Sequence, residues 1–280
     1  MSGNKDQKTV EGFGDEWERF DQTGLSEREH KELFEKYFSI FPWSKLPNNP
    51  TGFDMGCGSG RWAKMLAPRV GTLNCIDPSS ALEVARKNLA DLPNCEFHAK
   101  GVDDKPLSAN SQDFGVSLGV LHHIPDTAKG ISACVEMLKP GAPFLIYLYY
   151  DLDNRSFWFR SVWKVSNFIR YFVSKLPHGL RYIVSQIIAL AVYWPIARLA
   201  WVIEKLGASR SFVDSIPLSF YRSLSFYTMR TDALDRFGTR LEQRFTKVQI
   251  QQMMQEAGLE DILFSDNNPY WVAVGYRKNS

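Results

Sequence analysis

Short apolar runs alternate with helix-like stretches between Pro50 and about Tyr150. The strand candidates are residues 52–55, 72–76, 95–98, 114–118 and 143–149. Between them, residues 61–67, 80–89 and 127–138 have the 3.6-residue spacing of amphipathic helices. Ser79 and Asp126 are plausible starts for the second and third of these helices. Strands that alternate with helices predict successive βαβ units around a parallel sheet.

The pattern changes after residue 152. Residues 152–244 are aromatic, basic and helical, with no alternating strands. Thr246 can then cap a helix that runs to Ala257, and strand candidates follow at 259–264 and 271–276. Four segments are therefore predicted: an N-terminal helical segment (1–49), an α/β core (50–151), a helical insertion (152–245) and a C-terminal helix with strands that complete the sheet (246–280).

Composition restricts the class of protein. The chain has 280 residues, 44% of them apolar, and a formal net charge of +2, which is too balanced to indicate nucleic-acid binding over the whole surface. Its four cysteines form no Cys-x-x-Cys pair, so neither a metal site nor a disulfide framework is predicted. The polar N-terminus lacks the apolar centre of a secretory signal, which favours a cytoplasmic protein.

One apolar stretch raises the question of a membrane. Residues 182–197 contain no formal charge, but this run of 16 residues is shorter than the roughly 20 that a spanning helix needs. A transmembrane segment is disfavoured on that count. Peripheral contact with the inner face of a membrane through the insertion remains open.

The stretch DMGCGSGR places Gly56, Gly58 and Gly60 directly after the first strand candidate. Glycine permits positive φ and lets a ligand approach the backbone closely. A helix that begins near Ser59 would turn its free N–H groups towards the same point. The alternative for the glycines alone is a tight turn with no ligand.

Other strand ends supply polar residues for the same edge of the sheet. Asp77 follows the second strand candidate, about twenty residues after the glycines, where an acid can accept hydrogen bonds from ribose hydroxyls. Val102 and Asp103 follow the third, where they could contact an adenine. The segment DFGVSLGVLHHIP (113–125) supplies the fourth strand and a turn. Together these features indicate a ligand that contains a nucleoside.

The ordered motifs FDMGCGSGRWA, NCIDPS, VDDKPL, SLGVLHHIPD and MLKPGAPFLI resemble class I S-adenosylmethionine-dependent methyltransferases, of the type that includes quinone-biosynthesis methyltransferases. The resemblance covers residues 50–149 and, more loosely, the C-terminal elements. It implies a Rossmann-like α/β fold with a seven-stranded sheet whose last strand is antiparallel. It also implies S-adenosylmethionine as cofactor and S-adenosylhomocysteine as product.

The resemblance also implies roles for individual residues. Asp54 would order the loop and reach the methionine amino group, and Asp77 would bind the ribose. The other implied cofactor contacts are Gly56, Cys57, Gly58 and Gly60 around the amino-acid part, Pro78, Val102 and Asp103 near the adenine, the carbonyls of Leu118 and Gly119 near the sulfonium, and Trp17 as part of a covering segment.

His122 and His123 are the candidate catalytic residues if the acceptor needs a general base. The alternative is that one orients its loop and the other packs beside the cofactor. Four residues, Tyr221, Arg222, Tyr227 and Arg230, are candidates for recognising a carboxylate or phosphate on the acceptor. The plainer alternative is that exposed arginines here pair with Asp232, Asp235 and Glu242.

The expected function is methylation of a small-molecule or lipid-linked acceptor, at oxygen first and at carbon next. The insertion suits an apolar acceptor pocket, an interfacial membrane helix or a dimer face, while helical core explains many of its aromatic residues. A non-catalytic S-adenosylmethionine-binding or membrane-associated scaffold is the alternative. A nicotinamide oxidoreductase is disfavoured, because its fingerprint would be Gly-x-Gly-x-x-Gly.

Overall fold

A seven-stranded mixed sheet forms the centre of the computed structural model, which describes residues 3–279. The strand order is β3-β2-β1-β4-β5-β7-β6. The strands are β1 (Thr51–Met55), β2 (Thr72–Ile76), β3 (Cys95–His98), β4 (Phe114–Leu118), β5 (Pro143–Tyr147), β6 (Leu259–Phe264) and β7 (Val272–Arg277). β1 to β5 are parallel, and β7 lies antiparallel between β5 and β6. The predicted fold class and its antiparallel last strand are confirmed.

Aromatic and glycine residues face each other across the two central strands. Gly52 pairs with Phe114, and Phe53 pairs with Gly115. A Cβ on Gly52 would lie 2.2 Å from the Phe114 ring, so each ring occupies the space that a side chain on the opposite glycine would fill. Phe53 and Phe114 are completely buried. This close packing fixes the neighbouring ends of β1 and β4, from which the candidate site is built.

Side-chain caps begin some of the helices associated with the sheet. They are α1 (Gln7–Arg19), α2 (Glu27–Tyr37), α3 (Ala63–Leu66), α4 (Ala81–Asn88), α5 (Thr127–Met137) and α11 (Lys247–Glu256). Asp126 caps α5 by accepting from the Lys129 N–H, and Thr246 caps α11 in a capping box with Gln249. The predicted starts at these two residues are confirmed. The prediction that a helix begins near Ser59 is wrong, because α3 begins at Ala63 and is only 4 residues long.

The chain divides into two compact units. The sheet unit contains the residues up to Gln22, Lys31–Asp153 and the residues from Leu241 onwards. The helical unit contains Thr23–His30 and Asn154–Arg240. Its helices are α6 (Phe157–Val173), α7 (His178–Ile188), α8 (Trp194–Lys205), α9 (Arg210–Ser215) and α10 (Phe226–Gly238). Its core consists of Val173, Ala189, Tyr193, Ala197, Met229, Ala233 and Phe237.

α7 and α8 are joined by a π-helical segment, Ala189–Tyr193, so that one helix runs without interruption from His178 to Lys205. It is 28 residues long, and only 28% of its most apolar 18-residue stretch is buried. By length and composition alone it is sufficient to cross a membrane. The sequence count of 16 residues therefore underestimated the apolar helix, because charged residues interrupt the run without ending the helix.

Candidate active site

The strand register brings the predicted cofactor residues to one edge of the sheet. Met55, Ile76 and His98 are aligned at the ends of β1, β2 and β3, and Leu118 is aligned with Tyr147 at the ends of β4 and β5. The glycine loop, Asp77 and Gly119 directly follow the ends of β1, β2 and β4, and Val102 lies in the loop after β3. The order of connection reverses between β1 and β4, which is where open α/β sheets bind ligands.

The glycine loop adopts backbone conformations that favour glycine. Gly56, Gly58 and Gly60 have φ of 76°, 53° and 81°. A Cβ on Gly56 would lie 2.3 Å from Val120 Cγ1, and a Cβ on Gly58 would lie 3.0 Å from Trp17 Nε1. The glycines are therefore required both by the backbone and by close neighbours.

Four backbone donors of this loop are already used inside the protein. The N–H groups of Gly56 and Cys57 donate to the Ile76 carbonyl over 2.7 and 3.1 Å. Gly58 N–H donates to Asp77 Oδ2 over 3.0 Å, and Gly60 N–H donates to the Cys57 carbonyl over 2.9 Å. The expectation that free N–H groups converge here is therefore wrong for these four residues, because the loop closes against the end of β2. Such a loop is poorly suited to a phosphate.

Asp54 lies beneath the glycine loop with its charge uncompensated. It is 1% exposed, and neither carboxylate oxygen has a hydrogen-bond partner among residues 3–279. Burial, and then the nearby Asp77, raises its pKa to about 7. A buried carboxylate without a partner is unfavourable, so the site gains most from a ligand that brings a positive charge or a hydrogen-bond donor.

Asp77 ties the second strand end to the glycine loop. Besides accepting from Gly58, its Oδ1 accepts from the Ser79 N–H over 2.8 Å and from Ser79 Oγ over 2.6 Å. Burial raises its pKa, opposed by these hydrogen bonds. Two buried carboxylates thus lie near each other at this edge, and together they favour a cationic ligand over an anionic one.

The remaining predicted cofactor residues line the same edge. Cys57, Val102 and Leu118 are buried, whereas Pro78 is exposed. Asp103 Oδ2 accepts from the Asn4 N–H over 2.6 Å, so this carboxylate already has one backbone partner. Gly119 has a φ of 79° and donates its N–H to the Tyr147 carbonyl. Their roles in binding a cofactor stay predictions.

The N-terminal residues reach four of the loops at this edge. Asn4 and Asp126 exchange two hydrogen bonds of 2.7 Å. On α1, the Phe13 ring lies 5.0 Å from the His123 ring, and Glu18 accepts from Ser80 Oγ over 2.9 Å. Trp17 lies against Gly58. Within the sheet unit, α1 and the residues before it therefore cover the carboxyl ends of the strands. Asn4 was missed in the sequence, because a lone polar residue near a terminus carries no local signal.

His122 and His123 are both buried at the turn after β4. The His122 ring lies 3.9 Å from the Tyr149 ring, and neither of its nitrogens has a hydrogen-bond partner within residues 3–279. Burial, then the charges of His123 and Arg244, holds its pKa well below the usual value of 6.5, so the imidazole is neutral. His123 Nδ1 donates to the Leu241 carbonyl over 2.7 Å. Tyr149 was not identified from the sequence, although it follows β5 at the same edge.

The four predicted acceptor residues lie in the helical unit and have partners there. Arg222 pairs with Glu204 at 3.0 Å and Asp214 at 3.1 Å. Arg230 donates to the Tyr182 hydroxyl over 2.7 Å. The Tyr221 ring lies 5.3 Å from the Tyr193 ring, and the Tyr227 ring occupies the space beside Gly24. These contacts stabilise the helical unit, and a role in acceptor binding stays a prediction.

Part of the sheet unit matches a known protein family. Residues 53–146 match the family model described as "Methyltransferase domain". The sheet unit contains a methyltransferase domain. The matched range begins in β1 and ends in β5, so it contains the glycine loop, Asp77, Val102 and the two histidines.

Curated relatives share this methyltransferase domain rather than the whole chain. A ubiquinone biosynthesis O-methyltransferase of Coxiella burnetii is 28% identical over 106 residues, which are 37% of this chain and 44% of that protein. A mouse protein named "Probable tRNA methyltransferase 9B" is 32% identical over 110 residues, 37% of this chain and 23% of that protein. The chain thus spans less than half the length of these curated relatives.

A solved structure of an O-methyltransferase family protein from Burkholderia thailandensis has a similar fold. Its TM-score is 0.53 at 14% identity, over 90% of this chain and 57% of that chain. The likeness extends the shared fold beyond the matched methyltransferase domain.

Proposed function

We propose that the protein transfers a methyl group from S-adenosylmethionine to a small-molecule or lipid-linked acceptor, at oxygen first and at carbon next. The observation that carries the proposal is the buried carboxylate of Asp54, unpartnered within residues 3–279, beside a glycine loop in which the amides of Gly56, Cys57, Gly58 and Gly60 are already bonded. S-adenosylmethionine has an ammonium group, a sulfonium and no phosphate. The site's charge and hydrogen-bonding pattern fit that ligand and disfavour a pyrophosphate.

The chain's own residues would hold the cofactor as follows. Asp54 would receive the ammonium group, and the glycine loop would allow the amino-acid part to approach the backbone. Asp77 keeps acceptor capacity for the ribose hydroxyls beyond its bonds to Gly58 and Ser79. Val102 and Asp103 would contact the adenine, and the Leu118 and Gly119 carbonyls would face the sulfonium. When bound, the cofactor supplies a methyl group activated by a positively charged sulfur.

We assign His122 and His123 to shaping the site rather than to proton transfer. His123 Nδ1–H is committed to the Leu241 carbonyl, and the pKa of His122 lies well below that of an effective general base at neutral pH. With little acid–base help available from these rings, the domain's main task would be to align the acceptor and exclude water.

Oxygen is favoured as the methylated atom because the Coxiella burnetii relative is named an O-methyltransferase. The mouse relative's name refers to tRNA, so the methyltransferase domain by itself does not select the acceptor. We assign that selection to sequence outside residues 53–146. The alternative function is a non-catalytic scaffold that binds S-adenosylmethionine.

Calorimetric titration tests the proposed ligand class. We expect S-adenosylmethionine and S-adenosylhomocysteine to bind with micromolar affinity, about −8 kcal/mol, and NAD to show no measurable heat. Tight binding of NAD would contradict the proposal.

A labelling experiment distinguishes an enzyme from a non-catalytic scaffold. The protein is incubated with methyl-labelled cofactor and a cell extract, and labelled products are identified by mass spectrometry. Binding without any labelled product would favour the scaffold.

Replacement of Trp17 by alanine tests the cover over the site. Because Trp17 lies against Gly58, we expect Trp17→Ala to weaken S-adenosylhomocysteine binding about tenfold, equivalent to about 1.4 kcal/mol, with little change in thermal unfolding. Calorimetry and thermal denaturation measure the two effects. Val10→Ala, also on α1, is the matched control and should leave affinity unchanged. Equal affinity for the protein with and without Trp17 would exclude a covering role.

A further inference from the structure

The exposed apolar side chains of this protein are concentrated in one unit. Of the 21 exposed large apolar residues within the described range 3–279, 19 belong to the helical unit, and Val248 and Leu263 are the other two. Soluble monomers rarely expose a contiguous apolar surface of this kind without a partner. The helical unit therefore presents a binding surface.

On the 28-residue helix these side chains form a stripe. Leu180, Ile183, Ile187, Leu190 and Trp194 are exposed and recur every three or four residues. Residues with this spacing share one face of a helix. The stripe therefore covers several turns, and the opposite face carries the core residues of the helical unit.

A second stripe lies on α6. Its exposed members are Trp158, Val162, Val165, Ile169 and Phe172, with the same spacing. Both α6 and α7 pack against α10, so each stripe lies on a face that α10 does not cover. We call the two stripes together the apolar face.

Charge in the chain is strongly polarised. The helical unit has 14 Lys and Arg against 6 Asp and Glu, a formal charge of +8, which leaves −6 for the rest of a chain whose total is +2. On α6, Arg160 and Lys164 are exposed, and Lys175 and Lys205 are exposed at the ends of α6 and α8. Lys175 Nζ lies 3.4 Å from the centre of the Tyr171 ring. Exposed aromatic residues with flanking cations are typical of helices that lie in an anionic bilayer surface.

We propose that the apolar face docks the protein onto the surface of an anionic lipid bilayer, with α6 and the 28-residue helix lying in the interface. A second copy of the chain is a poorer occupant, because a two-fold contact through this face would bring two units of charge +8 together. The charge and the aromatic residues both complement anionic lipid headgroups and the acyl boundary beneath them.

The helix does not suit a position across the bilayer. Its buried face contributes Ala189, Tyr193 and Ala197 to a core that also contains Met229, Ala233 and Phe237 of α10. α10 carries four charged residues, Arg230, Asp232, Asp235 and Arg236. A spanning orientation would take these charges into the hydrocarbon, where each is costly. An orientation in the plane of the interface leaves them on the aqueous side.

Vesicle flotation with the full chain tests the proposal. We expect at least about tenfold stronger partition into phosphatidylcholine vesicles containing phosphatidylglycerol than into phosphatidylcholine alone, and release in high salt. Exposed tryptophans should be quenched by brominated lipid. Absence of binding to both vesicles would overturn the proposal, and so would retention after alkaline carbonate extraction, which indicates a spanning helix.

A matched pair of variants locates the surface. Ile183→Glu with Ile187→Glu places charge in the stripe and should reduce partition at least about tenfold. Val248→Glu with Leu263→Glu alters exposed apolar residues of the sheet unit and should leave partition unchanged. Equal loss in both double variants would contradict the assignment. Light scattering without lipid tests the other occupant. If the unaltered protein is a dimer, the stripe variant is a monomer and neither binds vesicles, the apolar face belongs to a contact with a second copy.

Titration with S-adenosylhomocysteine distinguishes failure of the membrane-docking proposal from failure of the proposed function. The stripe variant should bind S-adenosylhomocysteine as the unaltered protein does, because the substitutions lie outside the methyltransferase domain. Vesicle binding without cofactor binding would leave the docking surface standing and contradict only the proposed enzyme.

Discussion

Asp54→Asn is expected to abolish cofactor binding and at the same time to stabilise the cofactor-free protein. Loss of one charge from a buried ion pair costs about 3 to 5 kcal/mol, so the dissociation constant for S-adenosylmethionine should rise at least about a hundredfold. Without ligand the same carboxylate is buried and has no partner within residues 3–279. Its pKa of about 7, against 3.8 ordinarily, corresponds to a penalty on the order of 2 to 4 kcal/mol at pH 8.

The sign of the pH dependence follows from that raised pKa. Between about pH 4 and pH 7 the folded protein holds the Asp54 proton more tightly than the unfolded chain, so the free energy of unfolding falls as the pH rises. Asp54→Asn removes this decrease in the free energy of unfolding. In urea unfolding, the variant should therefore be more stable than the unaltered protein by a larger margin at pH 8 than at pH 5. Cofactor affinity of the unaltered protein should change in the opposite direction and drop about tenfold from pH 8 to pH 6, as Asp54 is protonated.

Asp91→Asn supplies the control, since Asp91 is exposed on the sheet unit. It should leave both unfolding and calorimetric affinity unchanged. If Asp54→Asn weakened folding at pH 8, or bound the cofactor normally, the carboxylate would not be the uncompensated group on which the proposed function depends.

The sheet was predictable because its signals are local. Apolar runs placed β1 to β4 within one residue of their observed bounds, and Asp126 and Thr246 identified the starts of α5 and α11. Parallel strands then bring their carboxyl ends to one edge whatever the side chains are. Asp54, the three glycines and Asp77 could therefore be placed together from the sequence.

The hydrogen bonding of the glycine loop could not be predicted in the same way. The Ile76 carbonyl and the Asp77 carboxylate accept from Gly56, Cys57 and Gly58, about twenty residues earlier in the chain. No local pattern distinguishes a loop whose donors are satisfied by the neighbouring strand from one whose donors await a phosphate. That distinction depends on tertiary geometry, and here it determines which ligand fits.

The long helix was underestimated for a related reason. Arg181 and Arg198 interrupt the charge-free run in the sequence, which suggested that the apolar segment ends there. Arg181 donates to the Gly238 carbonyl, and Arg198 donates to the Arg222 and Leu224 carbonyls. Both arginines are thus directed into the helical unit, and the outer stripe continues past Arg181. A count of charges along the chain cannot tell which face of the helix a charge occupies.

Gly56→Ala is expected to destabilise the protein and to remove cofactor binding together. Alanine at a φ of 76° costs about 1 to 2 kcal/mol, and its Cβ would lie 2.3 and 2.5 Å from the two methyl groups of Val120 and 2.9 Å from its Cβ. Rotation of Val120 cannot clear all three atoms, so the loop itself must move. Overpacking adds about 1 to 3 kcal/mol, so we expect the free energy of unfolding in urea to fall by about 2 to 5 kcal/mol in total.

Two further variants separate strain from steric conflict. Gly258 also has positive φ, 91°, but no atom lies within 4 Å of a Cβ there, so Gly258→Ala should cost only the backbone term of about 1 kcal/mol. Adding Val120→Ala to Gly56→Ala removes the two methyl contacts and should recover part of the lost stability. If Gly56→Ala were no more destabilising than Gly258→Ala, close packing between the glycine loop and the turn after β4 would not be what fixes the loop. The loop's position would then depend on the hydrogen bonds to Ile76 and Asp77 alone.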